Sequence, residues 1–151
     1  MPRPYALKAQ AFAHGDLASD PSIPLTLEKQ LRPFVRGKVA RGSVMRVRTP
    51  DDGDAEFEIS IEGDGFSVRS SYGGEMADLI YRCAEAANLA ILARRIPVTL
   101  TSAGQLVHLP EDVIDPVLIE SGGELMRLIE HDGIVWKTAR MRLVRAIGGQ
   151  K

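Results

Sequence analysis

The sequence holds a single cysteine, and that scarcity excludes an internal disulfide and any cysteine-rich metal site. It also has no apolar run near the roughly 20 residues a membrane-spanning helix needs. The opening stretch MPRPYALKAQAFAHG lacks the apolar core of a signal peptide. The expected compartment is therefore the cytoplasm, without membrane contact. Neither sign of charge prevails: 19 basic and 20 acidic residues leave a net charge of −1. Bulk charge then draws the chain toward neither nucleic acid nor a lipid surface. There is no glycine-rich loop followed by Lys-Ser/Thr, and no third glycine at dinucleotide-binding spacing. No nucleophile has a partnered base, since Ser102 and Ser121 stand in turn contexts. On these grounds neither a catalytic residue nor a cofactor is assigned.

What is present fits one globular domain. With 151 residues, 44% of them hydrophobic and 26% charged, the chain can bury roughly 70% of the surface it exposes when unfolded. Residues 75–93 read as a long helix. Met76, Leu79, Ile80, Cys83, Ala87, Ala90 and Ile91 repeat at the spacing of one helical face. Gly73 and Gly74 break the chain before it, and Pro97 ends any continuation. Cys83 lies on the apolar stripe, where it serves as a small buried hydrophobe rather than a reactive thiol. Ahead of this helix, residues 54–62 alternate strictly, with Ala55, Phe57, Ile59 and Ile61 on one side and acids or serine on the other. A Gly-Asp-Gly turn leads to Phe66 and Val68, so 54–62 and 66–70 form a hairpin. Val44, Met45 and Val47 place a third strand before Thr49–Gly53, another turn cluster.

The remaining segments are weaker. Residues 1–24 read as an N-terminal arm or loop with a short strand near 5–12, and 25–151 as the domain. Residues 25–35 suit either a short helix or an edge strand. Residues 98–100 and 105–109 suggest a second hairpin, 110–116 a Pro-bounded acidic loop, and 117–120 a strand. Residues 134–147 suggest a C-terminal hairpin, with a helix over 135–147 as the alternative. The expected fold is α+β: a mainly antiparallel sheet (meander 38–70) packed against one long helix (75–93), with further short strands and a C-terminal hairpin.

Three clusters qualify as candidate sites. Arg32, Arg36, Lys38, Arg41, Arg46 and Arg48 fall within seventeen residues that contain no acid. Such a run suits phosphate contacts. Cross-strand neutralisation by Glu56, Glu58 and Glu62 would account for Arg46 and Arg48, leaving Arg36, Lys38 and Arg41. Phe34 is the only ring in the run, where a single-strand binder interleaves several. The C-terminal Arg140, Arg142, Arg145 and Lys151 would be the second half of a nucleic-acid surface. In the second cluster His108 stands with Glu111, Asp112 and Asp115. Of these, His108, Asp112 and Asp115 are the metal candidates, although an exposed acidic loop explains all four. Gly122-Gly123 before Glu124 could form an anion nest, but a turn needing positive φ explains the pair.

The segment Thr101-Ser102-Ala103-Gly104-Gln105, with Pro110-Glu111-Asp112-Val113, Ile129-Glu130 and Gly133-Ile134-Val135, resembles the bacterial swapped-hairpin transition-state regulators. That resemblance implies a dimeric, DNA-binding β unit. It covers about 45 of the 151 residues. An extra residue between Gly104 and Pro110 would flip the strand register, and Ala103 stands where a basic residue is usual. No residue roles are carried over. The expected function is a small non-enzymatic interaction protein, acting as a homo-oligomer or as a subunit of a larger assembly. The alternatives are a nucleic-acid-binding regulatory protein using the basic residues above, and a small enzyme with its acids in the 108–115 loop.

Overall fold

The computed structural model describes residues 4–148. Among these the chain runs through β1 (Tyr5–Gln10), the two-residue strands β2 (Phe12–Ala13) and β3 (Asp16–Leu17), α1 (Ser22–Leu31), β4 (Met45–Arg48), β5 (Asp54–Ile59) and β6 (Gly65–Tyr72). It continues through α2 (Gly74–Ala86), β7 (Ala90–Leu92), β8 (Thr99–Leu100), β9 (Val117–Leu118), α3 (Gly122–Ile129) and α4 (Gly133–Gly148). One seven-stranded sheet has the order β4-β5-β6-β1-β7-β8-β9. Its pairings are antiparallel except the last, where β9 runs parallel to β8.

The meander forms as alternation predicts, except that β5 ends at Ile59 and leaves Ile61 exposed, and β4 begins only at Met45, with Val44 exposed. β5 buries Ala55, Phe57 and Ile59 and turns Asp54, Glu56 and Glu58 away from the core. β4 likewise buries Met45 and Val47 and exposes Arg46 and Arg48. The short strand expected in the N-terminal arm has a larger part. β1 lies between β6 and β7 and pairs with both. Its close approach to β6 requires a residue without a side chain at Gly65, where a Cβ would collide with the Ala9 carbonyl.

Three expectations are corrected. The helix of 75–93 stops at Ala86. Asn88 takes a left-handed conformation (φ 58°), and residues 90–92 then enter the sheet. Both faces of β7 are buried, Ile91 in one core and Ala90 in another, so the strand shows no alternation to distinguish it from helix. The single long helix is replaced by four α-helices among the described residues. The C-terminal hairpin is absent, because residues 133–148 form α4, the longest of the four. The second strand of the 98–109 hairpin is a 3₁₀ segment, Ala103–His108. It is opened by Ser102 and Gln105, which satisfy each other's backbone N–H groups in a capping box. The strand–turn–strand of the swapped-hairpin regulators is therefore not formed here.

Two cores flank the sheet. The larger holds Phe57, Ile59, Val68 and Ile91 from the strands, Leu27 and Leu31 from α1, Met76, Leu79, Ile80 and Cys83 from α2, and Leu125 and Leu128 from α3. The smaller lies on the opposite face at the far end and comprises Ala90, Leu100, Leu109, Leu118 and Leu143. Helix α4 runs along β9 and serves both, with Val135 and Ala139 in the first core and Leu143 in the second. The second face of β4, β5, β6 and β1 stays open to solvent and carries Arg46, Arg48, Glu58, Arg69 and Lys8. No helix is long and apolar enough to cross a membrane among the described residues.

Candidate functional site

The basic run divides as soon as its geometry is known. Arg41 bonds Glu28 of α1 at 2.7 Å. Arg46 holds Asp54 through Nη2 at 3.1 Å, with its Nε 3.3 Å from the same carboxylate. Glu56, the register partner of Arg46 on β5, turns instead to Arg69 of β6 at 3.2 Å. Arg46 is thus neutralised across the strands by Asp54 rather than by Glu56, Glu58 or Glu62 as expected, and Arg48 is not neutralised. Asp54 lies opposite Arg48 in register, but its carboxylate is taken by Arg46. Arg36, Lys38 and Arg48 form no ion pair among the described residues.

These three cations and Arg46 gather around a cleft of about 610 Å³ at the β4 edge of the sheet. The chain makes this cleft because Pro33 and Phe34 close α1 with a 3₁₀ turn and Val35 then forms a single antiparallel bridge to Val47. Residues 33–38 become one wall and β4 the other. Pro33, Phe34, Val35, Val44 and Met45 supply the apolar lining, and the cleft has no acidic lining residue. Phe34 also lines a neighbouring cleft of about 570 Å³ that holds Glu75, Asp78 and Glu120. On that side the Arg82 guanidinium lies 6.0 Å from the Phe34 ring centroid.

The turn between β4 and β5 is held firmly. The Asp51 carboxylate accepts from Thr49 Oγ1 at 2.6 Å and from the N–H groups of Gly53 at 3.1 Å and Glu75 at 3.1 Å. Glu75 returns the contact by accepting the Asp51 N–H at 2.8 Å. The Thr49 hydroxyl first, and then the Glu75 N–H, hold the Asp51 carboxyl below its ordinary value. Helix α2 starts at Gly73 with no side-chain cap of its own. A residue 24 positions away in sequence supplies that cap.

At the opposite edge of the sheet, Arg140 and Arg142 are occupied. Arg140 donates to the Pro116 carbonyl at 2.9 Å and pairs with Asp115 at 3.2 Å. Arg142 donates to the Leu118 carbonyl at 3.0 Å, grips Glu124 through both terminal nitrogens at 2.7 and 2.9 Å, and reaches Glu120 at 3.3 Å. Burial pushes the Glu124 carboxyl up, but the Arg142 fork and the Glu120 N–H outweigh it and hold the carboxyl below the usual glutamate value. The hydrogen bond to Glu124 in turn raises Arg142. Arg145 is exposed on α4. Lys151 lies outside the described residues.

The 108–115 cluster does not assemble as a donor set. Asp115 is turned to Arg140, and Glu111 and Asp112 are exposed. His108 meets His14 instead. Their rings sit edge to face with centroids 5.5 Å apart, and the His14 N–H approaches His108 Nδ1 at 3.4 Å. No group of three His, Cys, Asp or Glu side chains is placed to hold a metal ion among the described residues. Gly122 is not in a positive-φ turn. It opens α3, with Ser121 capping the Glu124 N–H at 3.2 Å. A Cβ at Gly122 would collide with the Asp78 backbone of α2. Cys83 is fully buried, and burial pushes its thiol up to about 12.

One surface escaped the sequence reading altogether. Ile134, Met141, Val144 and Ile147 of α4 are 79%, 45%, 42% and 48% exposed. Ile134, Lys137, Met141 and Val144 follow the i, i+3, i+7, i+10 spacing of a heptad seam. The signal was in the sequence, but it overlaps the buried row Val135, Ala139 and Leu143, and two apolar rows on one helix resemble a strand's alternation. No family model matches this chain, and neither the curated proteins nor the solved structures contain a match.

Proposed function

We propose that this chain is a small non-enzymatic interaction protein, a subunit that receives a partner helix on the outer face of α4. One observation carries the reading: α4 has a second apolar row, Ile134, Met141 and Val144, left exposed by the described residues. A row with this period suits a helix packed at a shallow crossing angle. The charges select the occupant. Helix α4 contains four basic residues and no acid. Lys137, within the row, and Arg145, beside it, form no ion pair among the described residues. Two copies meeting through this face would set like charges against each other. An amphipathic helix with acidic flanks on a different chain meets both demands.

The other two readings have less support. Three of the seven residues nominated for nucleic acid, Arg41, Arg140 and Arg142, are committed to carboxylates within the chain. The 108–115 loop has lost Asp115 to Arg140.

The test is direct. Light scattering of the full chain is expected to give a monomer. A synthetic amphipathic helix of about three heptads with leucine at the seam and glutamate beside it is expected to bind in a fluorescence titration. A basic-flanked version should not. Met141→Glu should weaken the acidic peptide about tenfold or more. A homodimer dissolved by Met141→Glu would overturn the proposed partner in favour of self-assembly. Absence of binding by the acidic peptide would overturn the α4 docking surface.

A further inference from the structure

We propose that the cleft at the β4 edge binds a small phosphate-bearing ligand with an apolar or flat body, of nucleotide size. Its location is separate from the α4 surface, and the two stand or fall independently. Four cations, Arg36, Lys38, Arg46 and Arg48, line one cleft with no acid among its lining residues. In a chain with net charge −1 this is a local concentration. The internal ion pairs could have dispersed it. Asp54 goes to Arg46 and Glu56 to Arg69, leaving Arg48 free beside Arg36 and Lys38. Forked guanidinium groups match phosphate oxygens. The volume of about 610 Å³ lies in the range of small-molecule sites. The lining from Pro33, Phe34, Val35, Val44 and Met45 offers apolar contact to whatever the phosphate is attached to.

The surroundings favour a short ligand over a polymer. A polyanion leaving the cleft past Phe34 meets Glu75, Asp78 and Glu120 against the single cation Arg82 in the neighbouring cleft, a net negative lining. Arg140 and Arg142, which might have extended a basic track, lie along β9 at the opposite edge of the sheet and are bonded there. The cationic surface is a bounded site rather than a groove.

Calorimetric titration of the full chain at low salt with ADP, with inorganic pyrophosphate and with a twelve-nucleotide oligo-dT tests this. ADP is expected to bind saturably, about tenfold tighter than pyrophosphate, because only ADP uses the apolar lining. The double variant Arg36→Gln/Arg48→Gln should lose about tenfold or more in ADP affinity. The charge-matched control Arg94→Gln/Arg95→Gln should stay within about twofold. Val44→Ser, on the cleft wall, should weaken ADP and leave pyrophosphate unchanged. No saturable binding by ADP or pyrophosphate overturns the proposal, as does an equal loss in the control. Equal affinity for ADP and pyrophosphate removes the apolar body. Oligo-dT binding about a hundredfold tighter than ADP, with a steep salt dependence, makes the surface a nucleic-acid interface and sinks the small-ligand reading. Unchanged thermal midpoints of the variants confirm that lost binding is not lost fold.

Discussion

The two edges of the sheet use arginine in opposite ways. Along β9, Arg140 and Arg142 take up the Pro116 and Leu118 carbonyls that an edge strand would leave to solvent, and each is neutralised by carboxylates of the same chain. An exposed edge invites pairing with another chain, and here side chains from α4 occupy it. Along β4, Arg46 pairs with Asp54, while Arg36 and Arg48 form no ion pair among the described residues and face the same cleft. Residue type is therefore no guide to role in this molecule. What separates a structural cation from an available one is which carboxylate the fold delivers to it. At β9 the fold delivers Asp115, Glu120 and Glu124. At β4 it delivers Asp54 alone, and Arg46 takes it.

That contrast can be broken at either edge. The largest effect is expected from Gly122→Ala. The added methyl meets the Asp78 carboxylate and, beneath it, the Asp78 backbone, which cannot give way without forcing apart α2 and α3, the helix that carries Glu124. A loss of about 3 kcal/mol is expected, read as a lower urea midpoint. Arg142→Ala comes next at about 2 kcal/mol, since it leaves the Leu118 carbonyl without its donor and the Glu124 carboxylate with the Glu120 N–H but no counter-charge from α4. Its pH dependence follows from the depressed Glu124 carboxyl. Stability from a lowered carboxyl is fully present above the unfolded value of about 4.3 and is lost as pH falls through the native value. The gap between wild type and Arg142→Ala should hold from about pH 7 to 5 and narrow below about 4. A gap that stays constant to low pH would show that the ion pair contributes nothing. The smallest effect belongs to the β4 edge, where Arg36→Gln and Arg48→Gln should each change stability by less than about 0.5 kcal/mol. A larger loss would mean these arginines are structural after all, and the two edges alike.

The same division into two ends explains what could be read from the sequence. A strand with one face in water must alternate, so Ala55, Phe57 and Ile59 against Glu56 and Glu58 announced β5, and the meander followed. β7 is covered on both faces, and its Ala90-Ile91-Leu92, with Leu89 before it, joined seamlessly to the helical run. Only the left-handed turn at Asn88 separates them, and an asparagine in an alanine-rich stretch does not advertise that geometry. Helix α4 failed for a related reason. Its apolar residues form a buried row and an exposed row, and the sum of two helical periods imitates a period of two. Of the candidate residues, Arg36, Lys38 and Arg41 read as the part neutralisation would not reach, and Arg41 is the exception, because α1 brings Glu28 to it. Arg48 reads as neutralised by Glu56, Glu58 and Glu62, but Glu56 turns to Arg69, and Asp54, which lies opposite Arg48 in register, turns to Arg46.

The position of β1 has a consequence for how the chain assembles. β4, β5 and β6 are contiguous in sequence and can pair as soon as residues 45–72 exist. β7, β8 and β9 cannot join them directly, because the inner edge of β6 is taken by Tyr5–Gln10, and β7 pairs with that strand's other side. The first strand in the chain is thus the splice between a local hairpin array and everything after residue 90. Bringing it there closes a loop of more than fifty residues on one side and about eighty on the other. Such long-range pairing slows folding. Until it happens, the two halves of the sheet present facing, unsatisfied edges.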